Sequence, residues 1–121
     1  MSIEMAVLVA ALGAAGALIR YAVLSMAERP RQSIAALALV NIAGSALAGV
    51  VLAAQTPLSA AVLVGLCGGL TTFSTLALQL APAGVPRPPA QILSLGFLHA
   101  AGSALAAWAG YSAAIALGFA G

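Results

Sequence analysis

The residues best suited to chemistry lie in one short run, Gly68-Gly69-Leu70-Thr71-Thr72-Phe73-Ser74-Thr75, where two glycines precede four hydroxyl side chains in five positions. Around it stand a few isolated polar groups in otherwise apolar stretches: Arg20, Asn41, His99 and Ser103. No hydroxyl or thiol nucleophile is paired with a base, and no cluster of His, Cys, Asp or Glu has ligand spacing, so hydrolytic, redox and tight-metal chemistry have no residues to run on. An enzyme is not expected. Neutral donors and backbone groups can instead strip water from an ion and hold it weakly, which is the chemistry of permeation. The glycines and hydroxyls also weaken a helix, since glycine costs about 1 kcal/mol relative to alanine and hydroxyls compete for backbone partners. The run therefore predicts a helix broken at its middle.

The elements that must position these groups follow from composition. The chain has 121 residues, of which 64% are hydrophobic, and its charges are Glu4, Arg20, Glu28, Arg29, Arg31 and Arg87. A soluble domain carries about a quarter of its residues charged. Here the stretches 32–86 and 88–121 carry no formal charge. Disorder and nucleic-acid binding are excluded with the soluble fold, because each needs a polar or charged surface. Cys67 is the single cysteine, so it forms no intrachain disulfide and reads as a small buried apolar residue. The N-terminus is not expected to be a cleaved signal peptide, since Glu4 stands where a basic segment belongs.

A helix crosses the hydrocarbon core in about 20 residues. The punctuation at Glu28-Arg29-Pro30-Arg31, Gln55-Thr56-Pro57 and the proline-rich 82–89 predicts an all-α integral membrane protein, a single domain over 1–121 with spans near 5–26, 34–54, 58–80 and 91–118. The third span contains the expected break. Loops this short leave no room for an extramembrane activity, so function sits among the helices. Both termini then share one side, and Arg29, Arg31 and Arg87 share the other with Arg20 near it. The positive-inside rule makes the arginine-bearing loops cytoplasmic and both termini external, in one fixed orientation in the plasma (inner) membrane.

Helices in lipid associate through small residues and interhelical hydrogen bonds. Three faces read as packing seams: Gly13, Gly16, Ala17 and Arg20; Asn41, Ser45, Ala48 and Gly49, with Gly44 beside them; His99, Gly102, Ser103, Ala106 and Gly110. Asn41 at mid-span reads equally as interhelical glue and as pore lining. Arg20 is an interfacial anchor or a group that attracts anions. His99, with no carboxylate in any span, is a poor proton relay and reads as a hydrogen-bonded packing residue.

These residues resemble the CrcB or Fluc fluoride channels. Gly13-Ala14-Ala15-Gly16-Ala17-Leu18-Ile19-Arg20-Tyr21 is similar to that family's first-helix signature, Val40-Asn41-Ile42-Ala43-Gly44-Ser45 to its second, and Gly65 through Thr75 to its third, the most specific of the three. The resemblance implies passive export of fluoride, which protects against its toxicity, by an antiparallel, dual-topology dimer enclosing two pores. It implies a structural sodium ion on the backbone carbonyls of Gly68 and Thr71, oxygen ligands suited to a hard cation. It also implies a fluoride path along Asn41, Phe73, Ser74, Thr75 and Ser103. In it Asn41 acts as an amide donor, and Phe73 is one of two phenylalanines presenting the positive ring edge.

The chain departs from the family pattern along one track. Leu76 replaces the second phenylalanine, Ala36-Leu37 stands where Gly-Thr usually precedes Val-Asn, and Leu95 and His99 stand where a pore tyrosine and a pore serine are common. With a one-sided arginine bias, these losses suggest one subunit of a heterodimer whose homologous partner supplies the missing groups. The alternatives are a homodimeric fluoride channel that tolerates the leucine, a non-conducting assembly subunit, and a small proton-coupled multidrug transporter. The transporter would need a carboxylate deep in a span, and neither Glu4 nor Glu28 is placed there.

Overall fold

The computed structural model describes residues 2–81 and 86–119, with Pro30 and Arg31 described in backbone only. The part of the proline-rich third loop at 82–85 and the side chain of Arg31 therefore lie outside the described residues. All regular structure among the described residues is helical, and four spans are long and apolar enough to cross a membrane.

Helix α1 (Ile3–Ser25) starts where Ser2 Oγ accepts from the Met5 amide at 3.2 Å, with Glu4 in the first turn facing the positive helix end. Helix α2 (Pro30–Ala54) starts on a proline, whose missing N–H costs nothing there. The Gln32 side-chain oxygen accepts from the amides of Glu28 and Arg29 at 3.1 and 3.0 Å, tying the first loop to this helix. Gln55 ends α2 in the left-handed region at φ 43°. Ser59 Oγ then accepts from the Thr56 amide and donates to the Val51 carbonyl, folding the second loop back on α2.

The third span is irregular throughout. Its first part, α3 (59–70), opens with Ser59–Ala61, widens into a π-helix over Val62–Cys67 and closes with Gly68–Leu70. Thr71 is extended at ψ 154°, and the helix resumes as α4 (Ser74–Leu80). The expected break is present at Thr71–Phe73. Helix α5 (Pro89–Ala116) completes the fold.

Close backbone approach organises these helices into two pairs. A methyl group on Gly16 or Gly69 would collide with backbone across the α1–α3 contact, and one on Gly49 or Gly110 would collide with backbone across the α2–α5 contact. Such positions suit lipid, where association rests on packing rather than on escape from water. The two pairs meet at a small core of Leu37, Val40, Leu70 and Leu76, flanked by Val23, Leu24 and Leu80. Leu37 is fully buried there. Large apolar side chains such as Val64, Leu78, Leu93, Phe97 and Trp108 are exposed, as lipid-facing or subunit-facing groups are.

Candidate ion-conducting site at the helix break

The break at Thr71–Phe73 frees backbone groups that a membrane interior must satisfy. Asn41 does much of this. Its Oδ1 accepts from the Thr72 amide at 2.8 Å and its Nδ2 donates to the Thr72 carbonyl at 3.2 Å. The side-chain amide thus pairs with a main-chain amide as a second peptide would, and it is 8% exposed. The Gly44 position one turn on is small by necessity, since a Cβ there would lie 2.6 Å from the Thr71 methyl. The glue reading of Asn41 is realised, and the same side chain also lines a cavity.

That cavity has a volume of about 260 Å³ and runs between α2, the break and its following helix α4, and α5. Asn41, Thr72, Phe73, Leu76, His99 and Ser103 all contribute to its wall. One hydrogen of Asn41 Nδ2 is committed to Thr72, which leaves the other as a neutral donor. Ser103 contributes a hydroxyl from α5, and Phe73, 80% exposed, contributes its ring.

Of the residues singled out in the sequence for a fluoride path, Asn41, Phe73 and Ser103 come together here, whereas Ser74 and Thr75 do not line the cavity. Their hydroxyls gather instead on Thr72 Oγ1, at 3.1 Å from Ser74 Oγ and 3.4 Å from Thr75 Oγ1. Thr72 Oγ1 also takes the Thr75 amide at 3.4 Å, a long bond that starts α4. Thr72 is the wall residue that sequence reasoning missed. Its signal lay in the backbone, because it is the peptide group of Thr72 that Asn41 holds.

Arg20 turns inward. Its guanidinium donates to the Thr71 carbonyl at 3.1 Å, so it braces the break. Thr71 Oγ1 bonds back to the Cys67 carbonyl at 2.9 Å, closing the last turn of α3.

The two carbonyls considered for a sodium ion differ. The Thr72 amide, which would close a helical turn on the Gly68 carbonyl, is taken by Asn41, so that oxygen loses its helical donor. Gly68 is exposed, with nothing nearer than 3.8 Å to an added Cβ. The Thr71 carbonyl carries the Arg20 bond and keeps one lone pair. Carbonyl oxygen is the donor type a hard cation takes, so the Gly68 oxygen fits, whereas the Arg20 charge on the Thr71 carbonyl opposes a second cation there. Among the described residues no three His, Cys, Asp or Glu side chains gather as a metal site.

His99 is 6% exposed, with Nδ1 3.0 Å from the Leu95 carbonyl, the hydrogen bond its packing reading called for. Leu95 lines a neighbouring cavity with Ile34, Ala38 and Ile42. Leu37 and Leu76, read from sequence as losses from a polar track, both belong to the apolar core with Val40 and Leu70. The site is thus polar at the break and apolar one turn away, with no carboxylate in its wall.

The comparisons bear on this arrangement. A family model described as CrcB-like protein, Camphor Resistance (CrcB), matches residues 7–111. Among curated proteins, the chain is similar to the fluoride-specific ion channel FluC 2 of Natronomonas pharaonis, with 45% identity over 83 residues, covering 65% of this chain and 67% of that protein. No solved structure matches.

Proposed function

The chain belongs to the CrcB family of fluoride channels, and we propose that it is a subunit through which fluoride leaves the cytoplasm passively. The observation that carries this reading is the cavity beside the break, where Asn41, Ser103 and Phe73 offer neutral donors in a site without carboxylates. Fluoride gives up its water only where donors replace it, and neutral donors hold it weakly enough to let it go. Asn41 acts through its uncommitted N–H, Ser103 through its hydroxyl, and Phe73 through the positive edge of its ring. The hydroxyls of Ser74 and Thr75, one bond from the wall through Thr72, form the outer part of the same polar path.

The working unit is an antiparallel dimer, preferably a heterodimer. Leu37 and Leu76 support this choice, because Leu76 in the cavity wall and Leu37 in the adjoining core are apolar and cannot donate to an anion. The loop arginines support it too. Arg29, Arg31 and Arg87 favour one orientation, with arginine loops cytoplasmic and termini outside, and a homologue of opposite bias would complete the pair in the plasma membrane. A homodimer is the second reading, favoured by one feature: Leu76 lines the cavity without filling it. A structural sodium ion would be held by the Gly68 carbonyls of both subunits, supplying charge that ties them together.

Fluoride efflux from liposomes, read with a fluoride electrode, tests the proposal. Protein co-expressed with a homologue of opposite arginine bias should release fluoride rapidly, and protein alone slowly. Full flux from protein alone would overturn the heterodimer, and silence in both preparations would overturn the channel.

A further inference from the structure

The imidazole of His99 has one committed nitrogen and one idle one. Nδ1 lies 3.0 Å from the Leu95 carbonyl, and a carbonyl can only accept, so the proton of the neutral ring sits on Nδ1. Nε2 is buried without a hydrogen-bond partner. With Nδ1 engaged on its own helix, Nε2 is the ring's uncommitted nitrogen, and the ring forms part of the cavity wall with Asn41, Thr72 and Ser103. In the neutral ring Nε2 presents only a lone pair, which repels an anion. Protonated, it presents a charged N–H donor, stronger than any other donor in that wall.

We propose that His99 is a proton-gated fluoride-binding group: the protonated ring binds fluoride through Nε2–H, and the neutral ring does not. This rests on the fluoride-channel reading above. The surroundings sharpen it. In the two cavities the ring lines, α2 contributes Ala38, Asn41 and Ile42, the break and α4 contribute Thr72, Phe73, Leu76 and Leu80, and α5 itself adds Leu95 and Ser103. None of these is titratable or charged, so no carboxylate is there to neutralise a protonated His99, and an entering anion takes that role. By reciprocity, fluoride at the site favours the proton as much as the proton favours fluoride.

His99 is the chain's single histidine, which makes its state directly readable in protein carrying no histidine tag. Two measurements on the purified full chain, with its homologous partner where needed for flux, test the proposal. In the first, fluoride efflux from liposomes is followed from pH 7.5 to 5.5, with leak from protein-free vesicles subtracted. Flux should rise severalfold as the pH falls. His99→Gln, which offers a permanent neutral donor, should give flux independent of pH. In the second, the imidazole nitrogen resonances are titrated with pH in sodium fluoride and in equal sodium chloride. The midpoint should move to higher pH in fluoride only.

A midpoint that moves in fluoride while no flux is seen would sustain the binding group and overturn the channel. Flux that ignores pH, with the same midpoint in both salts, would overturn the proton gate and leave the channel standing. Absence of both effects would overturn both.

Discussion

Asn41 and Leu37 stand one turn apart on α2, and Thr72 and Leu76 one turn apart across the break into α4, yet the two levels they form are opposites. At the upper level a side-chain amide pairs with a main-chain amide at 2.8 and 3.2 Å, and hydroxyls converge on Thr72. At the lower level Leu37 and Leu76 meet in an apolar core with Val40 and Leu70. On the proposed reading, the same helices build a place where an anion would lose water and, about one helical turn along, a place where nothing would replace that water. A path that needs donors at every step works at the first level and stalls at the second.

The comparison can be broken most forcibly at Asn41. Asn41→Ala leaves the Thr72 amide and carbonyl buried and unpaired, at about 1–3 kcal/mol for each group. Thermal unfolding in detergent should shift down accordingly. Asn41→Asp separates folding from conduction, since a carboxylate still accepts from the Thr72 amide but adds negative charge and removes the donor. Its flux should fall by about a hundredfold, the scale of losing one preorganised donor to an anion.

Next in size, Leu76→Phe sharpens the contrast from below. A ring edge at the lower level should speed efflux by about tenfold, the equivalent of about 1.4 kcal/mol at the barrier. Leu37→Thr places a hydroxyl in the apolar core and should cost about 1–3 kcal/mol of stability unless the hydroxyl reaches the cavity. Measured with Leu76→Phe, it shows whether the two leucines act as one plug. Flux gains that exceed the product of the single effects would mark coupling between neighbours.

The smallest effect is expected at Thr72→Val. The Thr75 amide meets Thr72 Oγ1 at a long 3.4 Å, so its loss should cost under about 1 kcal/mol, while the backbone pair with Asn41 survives. Flux should change little. A large loss would show that Thr72 Oγ1 is needed to hold the Ser74 and Thr75 hydroxyls in the path.

Much of this was legible in the residues. Proline and charge punctuation located the spans, and the glycine and hydroxyl density at 68–75 located the break, because both act through local backbone preferences. The π-helix at Val62–Cys67 was not legible. Its register follows from Gly65 seating against α1, where a Cβ would lie 2.7 Å from the Val9 carbonyl, a contact between distant parts of the chain. Arg20 was ambiguous because its side chain reaches either an interface or a neighbouring helix, and only the fold shows that a carbonyl at the break is within 3.1 Å. The role of Thr72 was hidden because what matters is its peptide group, which every residue has. Leu37 and Leu76 could be recognised as departures one by one, but that both fall in one apolar core required the tertiary structure.

The central claim is that the polar level conducts and the leucine level limits. Fluoride efflux from liposomes holding this chain alone, compared between the native protein and Leu76→Phe, tests it most directly. The account predicts slow efflux from the native chain and about tenfold faster efflux from the variant. Fast efflux from the native chain, unchanged in the variant, would contradict it.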